Sequence, residues 1–216
     1  MNRWVRWLLS WLVVAAVIPA GCVRTEPREV SASPSAAPLA LRLAEGDLGV
    51  FDGATQRYAP QRPGFEPSAD QPLQSGDRDA VLRCSDGGFV VAAPHTSFTR
   101  LDATGGARLR WSLDEGRLWL KLGAEEQAEV RSFHTRVTMG AGVYEIKVYK
   151  DADSFVNTVV RAYEGRGSVR GGERLQLERP LAPGLTVHAD DIHLHPVRRF
   201  DPRDLDVWQK RMRATR

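Results

Sequence analysis

The sequence predicts an all-β domain of short strands closed by a short C-terminal helix. Three observations carry that reading. From Leu39 to about Val197 the apolar side chains recur almost everywhere with period two. Each such run is short and bounded by Gly, Asp, Pro or Asn. An acid-glycine motif recurs between the runs, at AEGDLGV (44–50), DEGRLWLKL (114–122) and YEGRGSV (163–169), with related turns at SGDRDAVL (75–82) and SDGGFVV (85–91). Glycine enters positive φ freely, so each motif reads as a tight reversal between two strands.

The N-terminus comes first and does not belong to that domain. MNRWVR is cationic, and WLLSWLVVAAVIPAG is apolar but short for a bilayer span, so residues 1–21 read as an export signal. Ala20-Gly21-Cys22 resembles the lipobox of bacterial lipoproteins, with Pro19 where those boxes usually carry an aliphatic residue. That resemblance implies acylation of Cys22 and a membrane partner through the lipid. Ordinary cleavage after Ala20 and retention as an uncleaved anchor are the alternatives. Val23 lacks the aspartate that marks inner-membrane retention in enteric-type sorting, which favours a periplasm-facing lipoprotein of the outer membrane. Residues 22–38, rich in Ser, Ala and Pro, form a tether with too little apolar surface to order itself.

The β-domain spans 39–197. Leu109, Trp111 and Leu113 alternate with polar residues, as do Leu118, Leu120 and Leu122, then Tyr144, Ile146 and Val148, then Thr158, Val160 and Ala162. The segment QRPGFEPSADQP (61–72), with three prolines, is a surface loop. Cys84 shares the face of Leu82 and is expected to be buried as a small hydrophobe; a Cys22–Cys84 disulfide would require the lipobox reading to fail. In the tail, 198–216, Asp201 as N-cap, Pro202 as first helical residue and Asp204 in the first turn start a helix. Leu205, Trp208 and Met212 share its apolar face, which is expected to pack on the β-domain.

The charge excludes one class of function. The chain has 30 Lys and Arg against 27 Asp and Glu, and Arg3 and Arg6 lie in the signal, so the remainder is nearly balanced. With no long basic run, nucleic-acid binding has no electrostatic basis.

An ordered series of motifs resembles FecR-type domains. Leu73, Gly76, Asp77, Asp86, Gly87, Thr96 and Ser97 match the opening half. The series continues through Leu113-Asp-Glu-Gly-Arg-Leu, Val160-Arg-Ala-Tyr-Glu-Gly-Arg-Gly-Ser-Val and Leu181-Ala-Pro-Gly184. The family's Gly-Thr-x-Phe-x-Val strand is here Gly142-Val-Tyr-Glu-Ile-Lys-Val148. Phe200, Asp201, Trp208 and Arg211 match the tail of a branch of FecR-like envelope proteins. The resemblance covers roughly residues 40–211. It implies a twisted, β-solenoid-like domain with a sensing or binding role in the cell envelope. The cytoplasmic anti-sigma region, transmembrane helix and C-terminal signalling subdomain of FecR regulators have no counterpart in the sequence, so direct control of a sigma factor is not implied.

Candidate chemistry is sparse. The chain has no Gly-x-Ser-x-Gly and no phosphate-cradling loop. Glu45, Glu115 and Glu164 stand beside turn glycines as punctuation rather than as a glycosidase pair. In HADDIHLH (188–195), His193 and His195 would project from one strand face, with His188 and Asp190 close by. Imidazoles so placed can chelate a borderline cation. The alternative, an exposed polar face, is preferred, so no metal or other cofactor is expected. The strand 117–122 presents Trp119 between Arg117 and Lys121 on the face opposite its leucines. A tryptophan flanked by cations on a solvent face is an interface anchor, so Arg117, Trp119 and Lys121 are the candidate binding residues. Burial of Trp119 beneath a second layer, such as the C-terminal helix, is the alternative. The expected function is a non-enzymatic, lipid-anchored binding or sensory module with an envelope protein or glycan as partner. A scaffold lipoprotein of an envelope or secretion assembly is the second reading.

Overall fold

The computed structural model describes residues 40–103, 107–124, 126–172 and 176–214. The export signal, Cys22 and the tether lie outside the described residues. The chain forms β1 (Leu41–Asp52), β2 (Arg57–Pro60), β3 (Pro72–Cys84), β4 (Phe89–Ala92), β5 (Ser97–Leu101) and β6 (Leu109–Leu122). It continues through β7 (Ala128–Ser132), β8 (Thr135–Lys150), β9 (Val156–Gly171), β10 (Leu177–Leu181), β11 (Leu185–Ala189) and β12 (Arg198–Arg199) to α1 (Val207–Ala214). The architecture is all-β with a short C-terminal helix. One sheet runs in the order β12-β11-β9-β8-β7-β6-β4-β3-β1-β2, with β10 beside β9 and β5 bridging β3 and β6. Among the described residues only β6 and β7 pair in parallel.

The acid-glycine motifs do something other than reverse the chain. Gly46, Gly116 and Gly165 lie inside β1, β6 and β9, which continue through them. What changes at each glycine is the parity of the buried positions. In β6 the core takes Leu109, Trp111 and Leu113 before Gly116, then Leu118, Leu120 and Leu122 after it. In β1 it takes Leu41 and Leu43, then Leu48 and Val50; in β9 it takes Val160 and Ala162, then Val169. A strict period of two would send the second half of each strand to the wrong face. One extra residue at a bulge restores the apolar side and bends the strand. The partners change there too: β6 pairs with β5 and β7 before the bend, and with β4 and β8 after it. The sequence shows two short apolar runs separated by glycine in either case, so period alone cannot distinguish a turn from a bulge. By contrast, Ser85-Asp86-Gly87 is a true hairpin turn between β3 and β4.

Gly116 shows why the residue type is required. Its φ is 103°, and a Cβ would stand 2.5 Å from the Thr96 hydroxyl. Thr96 Oγ1 accepts from the Arg117 amide at 3.0 Å and donates to the Arg117 carbonyl at 3.3 Å. It thereby supplies an acceptor for the Arg117 amide at the bulge, while the Arg117 carbonyl also accepts from the Ala93 amide at 2.9 Å.

The sheet curls around a principal core that contains Trp111, Phe98, Tyr144, Ile146 and the leucines of β6. Cys84 is buried in it beside Leu82, as expected, and carries a free thiol. The loop at 61–71 lies outside the named strands, with Phe65 against this core.

Candidate functional site

The opposite face of the sheet carries a second apolar cluster. It comprises Val91, Trp119, Val143 and Tyr163 from the strands with Leu205 and Met212 from the tail, and Val81, Phe89, Phe200 and Trp208 at its edge. The predicted alternation in β6 is correct, since Trp119 does lie opposite the leucines. Its predicted exposure is not: Trp119 is 1% accessible. The tail crosses this face and seals it, with the Trp208 ring 6.1 Å edge-on to Trp119 and Tyr163 4.5 Å away on another side. Of the three candidate binding residues, Lys121 alone is exposed, and Arg117 is half-buried beneath the tail. Strand periodicity reports which face a residue occupies, whereas coverage of that face depends on a segment some 90 residues later.

The tail is built differently from its sequence reading. Asp201 does cap, accepting from the Arg203 amide at 2.9 Å, but it caps a 3₁₀ turn at Pro202–Asp204. The α-helix begins only at Val207. Leu205 is extended, and Asp206 and Gln209 form a reciprocal capping box, each side chain accepting from the other's amide at 2.8 Å.

A polar lock holds the helix in place. Glu145 of β8 is fully buried. Gln209 Nε2 donates to both of its oxygens, at 2.9 and 2.7 Å, and the Tyr163 hydroxyl donates at 3.0 Å. Arg161 stands 3.2 Å and Arg117 3.5 Å from the same carboxylate, and Arg117 also pairs with Asp206 at 2.6 Å. The Asp206 carboxyl is held below its usual range: burial opposes ionisation, but the Gln209 amide and Arg117 outweigh it. At the outer edge Asp79 accepts from the Trp208 indole at 3.1 Å and from Arg211. Neither Glu145 nor Gln209 stands out in the sequence, because a charged residue on an alternating strand looks the same whether solvent or a helix faces it.

The Tyr163 hydroxyl gives this lock a pH dependence. Burial, then the neighbouring Glu145 carboxylate, raises its ionisation well above the ordinary tyrosine value, and burial raises Tyr144 to about 12. Unfolded tyrosine ionises near pH ~10. The stabilisation is therefore complete below about pH 10 and is lost as pH rises toward the folded-state values. Comparing denaturation midpoints at pH 8 and 11 should show this loss, and Tyr163→Phe should reduce it; an identical alkaline decline in the variant would contradict the assignment.

Between α1 and the β3–β4 hairpin lies a groove of about 890 Å³. Its floor is Val81, Phe89, Val91, Trp208 and Met212, and its rim includes Glu45, Asp77, Arg78 and Arg83. Val207, 85% exposed, forms one lip. Arg78 pairs with Asp47 at 2.6 Å, and that hydrogen bond keeps the Asp47 carboxyl below its usual value. Lys121 lies 5.8 Å from the Phe89 ring centre and Arg117 5.1 Å from that of Trp208.

The histidine segment is not a strand. Ala189 and Leu194 form an isolated bridge around a turn in which Asp190 accepts from the Ile192 and His193 amides at 2.8 and 2.6 Å. His195 bonds Asp190 at 2.9 Å and stacks on His188 at 4.7 Å, while His193 is exposed. The shared strand face expected for His193 and His195 is thus replaced by a turn. Glu45, Glu115 and Glu164 are each exposed at a strand bend. Among the described residues no helix is long and apolar enough to cross a membrane.

No protein-family profile and no curated protein matches this chain. It is similar to two crystal structures of a candidate anti-sigma factor from Parabacteroides distasonis, at 12% and 13% identity and a TM-score of 0.49 in each case. The match covers 60% and 62% of this chain, and 60% and 61% of those chains.

Proposed function

We propose that this chain is a non-enzymatic, lipid-anchored, FecR-like binding module of the bacterial cell envelope that holds a segment of an envelope protein in the groove beside α1. The observation that carries the reading is the groove itself: an apolar floor bounded by charges of both signs. Such a rim suits neither a nucleic acid nor a uniformly anionic lipid surface. A protein segment is favoured over a glycan because Lys121 and Arg117 already stand over the Phe89 and Trp208 rings on which a sugar would stack. Asp79 is engaged by Trp208 and Arg211, which supports recognition rather than acid-base catalysis. The lipidated N-terminus, with Cys22 acylated, would present the domain at the periplasmic side of the outer membrane.

Two variants test the two halves of this reading. Cys22→Ala should move the protein from the membrane fraction to soluble or unprocessed forms; wild type recovered soluble, without acyl mass, would contradict the anchor. Val207→Glu places a charge on the groove lip at the first helical position, where an acid suits the helix dipole. It should leave the melting temperature within about 2 °C, consistent with the small effects of surface substitutions, and remove the cross-linked envelope complex. An undiminished complex would contradict the groove.

A further inference from the structure

A second constellation lies at the tip of the β3–β4 hairpin and does not depend on the groove. Cys84 ends β3, Asp86 is in the hairpin turn, and Glu126 lies two residues before β7, so 40 residues of chain separate the two acids. The sheet order brings them together: one ligand atom from each of the three lies within 4.8 Å of the others. The buried member is the informative one. Glu126 is 2% accessible; its Oε2 accepts from the Gly123 amide, while its Oε1 is buried with no hydrogen-bond partner. A buried carboxylate oxygen without a donor is costly, and here its nearest companions are another carboxylate and a thiol.

The surrounding backbone keeps this space open. A Cβ on Gly88 would stand 2.7 Å from Glu126 Oε2. One on Gly123 would stand 3.4 Å from that oxygen and 3.8 Å from Asp86 Oδ2, between the two acids. A side chain at Gly88 would crowd Glu126, whereas one at Gly123 would reach both acids only at ordinary contact distance.

We propose that Cys84, Asp86 and Glu126 form a binding site for one zinc-class divalent cation, which ties the β3–β4 turn to the β6–β7 connection. One thiolate with two carboxylates suits a borderline-soft ion, whereas calcium and magnesium favour oxygen alone. Tetrahedral ligation would bring the ligand atoms to about 3.3–3.5 Å from one another. Asp86 is exposed on its turn, held by a long 3.4 Å hydrogen bond from the Gly88 amide, and can supply that contraction. Its solvent side leaves a fourth position for water. The ion would supply the charge that Glu126 Oε1 lacks.

Proton release follows. Without an ion, burial, then the charges of Glu126 and Asp86, raises the Cys84 thiol to about 12. Burial, then the neighbouring Asp86 carboxyl, raises Glu126 to about 7; the Gly123 amide and, least of all, Arg108 oppose this. Both groups must lose their protons to ligate, so binding of the ion displaces the protons they carry. The arrangement that competes with the ion is a proton shared between Asp86 and Glu126, which would need no metal.

The test is titration of the chelator-treated full chain with Zn²⁺ at pH 8, with elemental analysis of the product. One ion per chain is expected. Asp86→Asn, at an exposed turn position, should weaken binding by about tenfold or more without altering the fold, and Glu126→Gln should do the same. Substitution with Co²⁺ should give a thiolate-to-cobalt absorption band that Cys84→Ser removes. Joint replacement of His193 and His195 by Ala should leave binding intact. The proposal is overturned if the wild-type chain binds no ion at pH 8. It is equally overturned if binding survives both carboxylate variants, or if the cobalt spectrum lacks the thiolate band.

Discussion

Trp119→Ala is expected to destabilise the domain by about 3–5 kcal/mol, the usual cost of removing a large aromatic from a packed interior. The indole is enclosed by Tyr163 and Trp208, and the cluster around it is small, so collapse has little to refill the space. For a domain of this size the change corresponds to a fall in melting temperature of roughly 6–20 °C. Calorimetry on the purified variant measures it. A shift below about 2 °C would mean that the tail does not cover Trp119, and would restore the exposed anchor that strand periodicity alone suggests.

Glu145→Ala is the second large effect. It removes the acceptor for Gln209 and Tyr163 and leaves Arg117 and Arg161 facing an apolar gap. Loss of one partner from a buried ionic network costs about 3–5 kcal/mol. The lower end is expected, because both arginines retain some access to water. The damage should be local first. Trypsin should cut the tail at Arg203, Arg211 or Arg213 much faster than in wild type, while the β-domain stays folded. Glu145→Gln, which keeps an acceptor oxygen, should lie between the two. Equal protease resistance in wild type and Glu145→Ala would show that the network does not hold the helix.

These two residues mark where the sequence stops being informative. The faces of the runs in β6, β8 and β9 were legible, because alternation is a local property: Leu118, Leu120 and Leu122 point one way and Trp119 the other. The continuity of the strands was not. A glycine beside an acid is compatible with a hairpin or with a bulge, and only the pairing of Leu113 with Phe98 and of Glu115 with Ser97, with Asp114 left over between them, identifies the bulge. The cover on Trp119 was legible in part, since Leu205, Trp208 and Met212 already formed an apolar stripe in need of a partner. Its polar fastening was hidden, because Gln209 and Glu145 are 64 residues apart and neither is unusual in its own segment. The Cys84, Asp86 and Glu126 cluster was hidden for the same reason. Cys84 read as a small hydrophobe, and its acidic neighbour arrives from another connection.

The groove beside α1, and not the sealed Trp119 face, is the proposed site of recognition. Site-specific photo-cross-linking in the intact bacterium tests it most directly, with the probe at Val207 on the groove lip or at Phe155, 46% exposed on the β8–β9 connection. One discrete protein adduct is expected from position 207, abolished by a second substitution, Val81→Asp, in the groove floor, and none from position 155. An adduct at 155 with none at 207, or one at 207 that persists when Val81 is charged, would contradict it.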